Sequence, residues 1–251
     1  MLRVGACQTP EVLGDVPAAL TVMESFASAE QAAGLDLLLF PECFLQGYLA
    51  SPEHLARNAF DLASPRFGEV LARLAPLRQA LVVGVIERDG SRFFNSAVVI
   101  ARGSLLGVYR KTHLTLGERA FTAGADCPVL DLNGVRFGLN ICYDTRFSAV
   151  SKAVAARGAA LLLVLSQNMM GRSKAEFWQP MHNAIRAERA RETGMWVISA
   201  DVTGERDEER IGLGPTSVIS PDAVVVAQVP AQTVGMVTAE VGADPVIAPP
   251  R

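Results

Sequence analysis

The most constraining feature of this chain is a set of short, almost unbroken apolar runs spaced by amphipathic stretches. "LDLLLF" (35–40), "ALVVGVI" (80–86) and "AALLLVLS" (159–166) show no alternation of apolar and polar residues. A strand with that pattern is buried on both faces, which requires helices to cover its sheet. "LRVGACQ" (2–8), "GVRFGLNIC" (134–142), "MWVISAD" (195–201) and "VGMVTAEV" (234–241) read as further strands. Helices are predicted over Pro17–Ala33, opened by Asp15 and an early proline, over Ser64 to about Arg78, over Ser148–Arg157, and over Ala175–Thr193. "NSAVVIA" and "LLGVYRK" flank "RGS", and "GPTSVIS" and "VVVAQV" flank "PDA", so each pair reads as a hairpin. Helices after some strands and hairpins between others predict an α/β fold with mixed sheets under helical cover. No internal linker and no repeat interrupts the pattern, so one domain is expected over 1–251, with a short Pro-rich tail at 243–251.

Composition removes several function classes. The net charge is -3, with no cluster of Lys and Arg, so nucleic acid is not an expected partner. The longest apolar stretch, Gly158–Leu165, is too short to cross a bilayer, and "MLRVGACQTP" lacks the apolar region of a secretion signal. Four cysteines (7, 43, 127, 142) form no CxxC pair and no metal-ligand spacing. Reduced thiols, no metal and a cytoplasmic location are the expectation. "ERDEER" (205–210) reads as a solvated charged loop, with a lid over a site as the alternative. "GLGPTS" (212–217) lacks the third glycine and following helix of a dinucleotide fingerprint.

Chemistry concentrates at strand ends. Cys142 closes the Val135–Ile141 strand and is followed by Tyr143, Asp144 and Arg146. Buried cysteines are commonly small core hydrophobes, and Cys7 and Cys127 fit that description. A thiol at a strand end among polar residues is instead placed where α/β proteins carry their sites. A nucleophilic thiol needs a base and a positive group to hold the developing oxyanion. The base is either a histidine (His113 or His182, in a papain-like pair) or a carboxylate held near the core. Glu42 follows directly on a buried strand broken by Pro41, and burial there would raise its pKa into a useful range. Lys111 ends the strand "LLGVYRK" in the same way.

"FPECFLQGY", "YRKTHL", "GERAF" and "ICYDTRF", in this order, resemble the nitrilase superfamily of carbon–nitrogen hydrolases. The resemblance runs from "VGACQTP" to "GPTSVISPDAVVVAQV" and takes in "FWQPMHNAIRAERARETGMWVISAD". It implies a four-layer αββα sandwich with two mixed β-sheets flanked by helices, and a homodimer or higher homo-oligomer. It implies a catalytic set of Glu42, Lys111 and Cys142, with Glu118 of the "GE" segment positioning lysine and substrate, and no cofactor. The Tyr143 N–H, beside the nucleophile, is a candidate oxyanion donor with Lys111. Asn168 is a candidate substrate contact as well as a turn residue, whereas Asp144 and Arg146 are expected to anchor the local turn. Tyr48 is expected to pack, and His113 and His182 to be hydrogen-bonded structural histidines.

"CYD" is similar to the small-amide branch, including ω-amidases, more than to nitrilases carrying "CWE". The expected activity is therefore hydrolysis of a small amide through a thioester. N-carbamoyl hydrolysis and nitrile hydrolysis are the alternatives, and a silent binding module is the non-enzymatic one. Ser148-Ala149 after Phe147, and "LSQNMMGRS", depart from the family pattern where substrate would be selected.

Overall fold

A computed structural model describes residues 1–242, so the Pro-rich tail at 243–251 lies outside the described residues. In chain order the elements are β1 (Leu2–Pro10), α1 (Val16–Ser28), β2 (Leu37–Leu39), α2 (Pro52–Asn58), α3 (Pro65–Leu74), β3 (Ala80–Asp89), β4 (Arg92–Ala101) and β5 (Ser104–Arg110). There follow β6 (Leu130–Leu132), β7 (Val135–Ile141), α4 (Ser148–Ala156), β8 (Leu161–Leu165), β9 (Met169–Gly171) and α5 (Arg172–Thr193). The last are β10 (Trp196–Ala200), β11 (Val202–Glu205), β12 (Arg210–Leu213), β13 (Ser217–Ile219), β14 (Val225–Gln228) and β15 (Gly235–Val241).

The strands form two mixed sheets. One is ordered β5-β4-β3-β2-β1-β11-β12-β9, with β15 antiparallel to β1; the other is β14-β13-β10-β8-β7-β6. The central pairs β1–β2, β2–β3, β7–β8 and β8–β10 are parallel, and both expected hairpins, β4–β5 and β13–β14, are antiparallel.

Burial explains the unbroken apolar runs. In β8, Leu161, Leu163 and Leu165 point into the seam between the sheets, where they join Leu37, Leu39, Phe137, Leu139 and Ile198. The alternate residues Leu162 and Val164 pack outward against Val154 of α4 and Ala190 of α5. In β2, Leu37 and Leu39 face the seam, while Leu38 belongs to a cluster with Met23 of α1 and Phe67 and Val70 of α3. The layers are therefore α1 and α3, the larger sheet, the smaller sheet, then α4 and α5, which is the expected αββα sandwich. Truncating a seam leucine to alanine in such packing costs roughly 2–5 kcal/mol.

Local signals set most helix starts. The Asp15 carboxylate accepts from the Ala18 N–H at 2.9 Å, and Ser64 Oγ accepts from the Phe67 N–H at 3.3 Å. Helix α1 stops at Ser28, short of the expected Ala33, because Ala29 is extended and a 3-10 turn follows at Glu30–Ala32. The freed carbonyls of Ala27 and Ala32 accept from the Gln79 amide, a contact made across 52 and 47 residues of sequence. The charged run 205–210 forms the turn between β11 and β12, tied down where Arg206 pairs with Glu11.

Candidate active site

Five strand ends converge on one region. Phe40-Pro41-Glu42 leaves β2, Lys111 follows β5, Cys142 follows β7, Ser166 to Asn168 follow β8, and Asp201 follows β10. The sheets are joined here, because the Glu42 N–H donates to the Ser166 carbonyl at 3.2 Å. Gly84 of β3 lies under the Glu42 turn. A Cβ there would come within 2.2 Å of Cys43 N and 2.4 Å of Pro41 O, so only glycine lets the turn settle on the sheet.

Lys111 links the two glutamates. Its Nζ is 2.8 Å from Glu42 Oε1 and 2.9 Å from Glu118 Oε1, and all three side chains are buried. Asn95 of β4 donates through Nδ2 to the same two oxygens, at 2.7 and 3.0 Å, and accepts from the Cys43 thiol at 3.4 Å. Glu118 Oε2 accepts from the Thr115 N–H at 2.8 Å.

The electrostatics separate the two carboxyl groups. Burial raises Glu42 to about 7, against the opposing charge of Lys111. Glu118 ends below the usual carboxylate range: burial works against its charge, but Lys111 and the Thr115 N–H more than offset that. Lys111 is likewise desolvated, yet Glu42, Cys142 and Glu118 hold its pKa well above the ordinary lysine value. The cluster thus contains a firm ammonium, a firm carboxylate and a carboxyl poised to take or give a proton near neutrality.

Cys142 opens a 3-10 turn with φ +45°, an uncommon conformation for a residue with a side chain. Asp144 fixes that turn. It accepts from the Ile141 N–H at 3.0 Å, the Tyr109 hydroxyl at 2.7 Å and the His113 N–H at 2.8 Å. The expected anchoring role of Asp144 therefore holds. The Cys142 thiol contacts Asn168 Oδ1 at 3.9 Å, and its pKa is raised, first by burial and then by Glu42. Asn168 is itself held by Asp201, which accepts from its N–H at 2.9 Å and from its Nδ2 at 2.5 Å. Behind them lies buried Arg186, 3.7 Å from Asp201 and donating to Ser166 Oγ at 2.9 Å.

Cys142, Tyr143 and Asn168 line a cavity of about 220 Å³, together with Thr115, Trp178 and His182. This is smaller than the roughly 300–1,000 Å³ common for drug-sized ligands, so it suits a small substrate. The structure brings Glu42, Lys111 and Glu118 into direct contact, and Cys142, Tyr143 and Asn168 onto one cavity wall. Tyr48 packs beside Cys43 and Leu55, as expected.

Two expectations need correction. Arg146 does not anchor the turn by hydrogen bonds. Its guanidinium lies over the rings of Tyr143 (5.5 Å) and Trp178 (5.0 Å) and lines the cavity. A guanidinium can only donate, and the carbonyls of the turn already have donors: Cys142 O accepts from Thr145 Oγ1, Asp144 O from the Phe147 N–H and Thr145 O from Arg189. His113 is the expected structural histidine, bonded to Asp144 and stacked on Phe147 at 3.8 Å. His182, by contrast, has no hydrogen-bond partner among the described residues and faces the cavity. Burial and the neighbouring Arg186 push its pKa down to about 3, so it is neutral.

Asn95, Asp201 and Arg186 were not foreseen. Asp201 carried a usable signal, since it stands directly off the strand "MWVISA" as Glu42 and Cys142 stand off theirs. Asn95 is a polar residue inside an apolar strand, which alone does not tell a site residue from a satisfied core amide. Among the described residues, no group of three or more His, Cys, Asp or Glu side chains is placed to hold a metal ion. Among them, too, no helix is long and apolar enough to cross a membrane.

Comparison with known proteins supplies the family. The family model described as Carbon-nitrogen hydrolase matches residues 3–248. An (R)-stereoselective amidase of a Pseudomonas species is 31% identical over 196 residues, covering 78% of this chain and 69% of the relative. A protein of Pseudomonas protegens described as a hydrolase in the pqqF 5' region is 33% identical, covering 90% and 78%. Among solved structures, a variant of the Nesterenkonia sp. AN1 amidase, described as showing Michael addition of acrylamide at the active-site cysteine, is 25% identical. It superposes with a TM-score of 0.80 over 97% of this chain and 94% of its own. The chain belongs to the carbon–nitrogen hydrolase family of the nitrilase superfamily, and it is an enzyme of that class.

Proposed function

We propose that this single-domain enzyme hydrolyses a small amide, of the ω-amidase type, to a carboxylic acid and ammonia through a thioester on Cys142. The observation that carries this reading is the buried Glu42–Lys111–Glu118 cluster, with one carboxyl raised to about 7 and electrostatically coupled to a strand-end thiol. The acrylamide adduct at the active-site cysteine of the related amidase supports a cysteine nucleophile, and Cys142 lines the cavity described above.

In this mechanism Cys142 rests as a neutral thiol, since its pKa is raised. The Glu42 carboxylate takes the thiol proton as sulfur attacks the amide carbonyl carbon. Lys111 Nζ and the Tyr143 N–H stabilise the tetrahedral oxyanion. Protonated Glu42 gives its proton to the leaving nitrogen; the C–N bond breaks and ammonia departs, leaving the thioester. Glu42 then takes a proton from water, whose oxygen attacks the thioester carbonyl. The C–S bond breaks, the acid is released, and Glu42 returns the proton to sulfur. Glu118 stays ionised and keeps Lys111 charged and in place.

The test is ammonia release from a panel of simple amides, ω-amides, N-carbamoyl compounds and nitriles, beside Cys142→Ala and in the presence of a chelator. Release from amides that survives chelation and vanishes in the variant is the expected result. Release confined to carbamoyl compounds or nitriles would transfer the reading to those substrates. A wild type inert to all four classes, with Cys142 unreactive to acrylamide, would favour a silent binding protein. Retained activity in a His113→Ala, His182→Ala double variant would dispose of a papain-like pair. We further propose a cytoplasmic homodimer or higher homo-oligomer, to be checked by light scattering on the purified protein.

A further inference from the structure

Between β8 and β9 the chain crosses from the smaller sheet to the larger one through Ser166, Gln167 and Asn168. Ser166 and Asn168 line the active-site cavity, and each is held, Ser166 by Arg186 and Asn168 by Asp201. Gln167 is buried between them, and its Nε2 donates to Glu11 Oε1, on the loop after β1. Glu11 is in turn gripped by Arg206, whose Nε donates to Oε2 at 2.6 Å and whose Nη2 donates to Oε1. The same Nη2 reaches the Tyr48 carbonyl at 3.5 Å, on the segment that follows the Glu42 turn.

Arg206 is the exception in its charged run. Glu205, Asp207, Glu208, Glu209 and Arg210 are exposed, whereas the Arg206 side chain is 15% exposed and that of Glu11 8%. The turn does not need the Arg206 side chain to form. The Asp207 carboxylate accepts from the Glu209 and Arg210 N–H groups at 3.0 and 2.8 Å, and the Arg206 N–H donates to the Arg210 carbonyl at 3.1 Å. The strand that leaves the turn, β12, pairs with β9, and Met170 of β9 lines the cavity. A two-pronged, mostly buried arginine–carboxylate pair is stronger and more directional than an exposed one. This one is joined to the segment that builds a wall of the site.

We infer that Glu11 and Arg206 are positioning residues: their ion pair clamps Gln167, and through it sets where Asn168 stands against Cys142. The inference rests on the amidase reading above and adds a control on the site from outside the cavity. Gln167 Oε1 also accepts from the Met169 N–H at 3.3 Å, so the clamped side chain braces the backbone on the far side of Asn168. Neither Glu11 nor Arg206 lines the cavity, and neither has a part in bond breaking.

The test separates positioning from stability. Glu11→Leu and Arg206→Met each strand a mostly buried charge and should melt below wild type. The double variant Glu11→Leu, Arg206→Met strands none and should regain most of that loss. Activity should not follow. With the clamp gone, kcat/KM for the amide that releases ammonia should fall roughly tenfold in all of these variants, at a temperature where each is folded. Alkylation of Cys142 by acrylamide should slow with it, a readout that needs no turnover. Arg206→Lys keeps the charge without the two-pronged geometry and should lie in between. Arg172→Met, which removes an exposed pair with Glu205 beside the same turn, should leave both rates unchanged. A double variant that regains activity along with stability would make the pair a prop of the fold alone and overturn the inference. Unchanged rates in Arg206→Met, or an equal loss in Arg172→Met, would overturn it as well. A wild type that releases no ammonia rejects the amidase reading, while the alkylation rates still decide the clamp.

Discussion

Asn95 donates to Glu42 Oε1 at 2.7 Å, and both side chains are shut away from solvent. This bond favours the ionised carboxylate and so lowers the Glu42 pKa, against the burial that raises it to about 7. In Asn95→Leu the donor is lost at similar volume. Glu42 should then hold its proton to higher pH, and the acid limb of kcat/KM should move upward by about one unit, the scale of a hydrogen bond to a charged group. In the wild type that limb should have its midpoint near the Glu42 value. Measuring both pH profiles decides the matter; a limb that stays put in Asn95→Leu would remove Glu42 as the base.

Glu42→Gln should show an opposite signature in stability and activity. Burial raises Glu42 from its ordinary 4.5 to about 7, so between these values the folded protein keeps a proton that the unfolded chain has released. The stability this group contributes is full below the lower value and is lost as pH rises through the upper one. Glutamine cannot ionise and is spared that loss. The Tm of Glu42→Gln minus that of wild type should therefore grow between roughly pH 5 and pH 8, while ammonia release falls by about a hundredfold or more. A Tm difference independent of pH would contradict the raised pKa.

Gly84→Ala tests how the Glu42 turn is seated. The added methyl would meet backbone atoms of Pro41, Glu42 and Cys43 at 2.2–2.6 Å, and backbone cannot swing aside as a flexible side chain can. The turn must lift from β3. Overpacking of this kind costs about 1–3 kcal/mol, but Glu42 also moves relative to Lys111. Activity should fall further than the melting temperature implies, which parallel melts and kinetics at a temperature well below Tm would reveal. Wild-type activity in Gly84→Ala would show that Glu42 tolerates displacement.

Strand positions were legible because burial on two faces leaves an unambiguous pattern. Val135–Ile141, the run ahead of Cys142, forms β7 over those same residues, and Leu161–Leu165 reads as buried because both its faces are. Strand-end logic nominated Glu42, Lys111 and Cys142 one by one, and the family resemblance supplied Glu118. The short strands β9, β11 and β12 escaped notice, since three or four residues carry too little periodicity and depend on partners elsewhere in the chain. Long-range satisfaction is equally silent in sequence. Asn95 is seen as a shared donor only when Glu42, 53 residues away, folds against it. Arg146 shows the converse, for its neighbours in sequence suggested a turn anchor while Trp178, on a distant helix, supplies the ring that holds it over the cavity.

The last prediction concerns Asp201, the strand-end carboxylate missed in sequence. Both its oxygens are used: one accepts from the Asn168 and Val202 N–H groups at 2.9 Å, the other from Asn168 Nδ2 at 2.5 Å, with Arg186 at 3.7 Å. Asp201→Asn keeps the shape and removes the charge. Arg186 is then a buried cation without its carboxylate, a loss of about 3–5 kcal/mol. The new amide has one accepting oxygen where two are needed: its N–H₂ must face either the Asn168 and Val202 N–H groups or Asn168 Nδ2, and in the second case the Asn168 amide has reason to turn over and face Cys142 with the wrong group. Stability loss and site disorder can be separated by a double-mutant cycle with Asn168→Ala, read in kcat/KM at a temperature where every variant is folded. If Asp201 acts on the site by holding Asn168, the double variant should be little worse than the more damaged single one. Strict additivity would mean that Asp201 serves only to neutralise Arg186, and that Asn168 is placed by its own strand end.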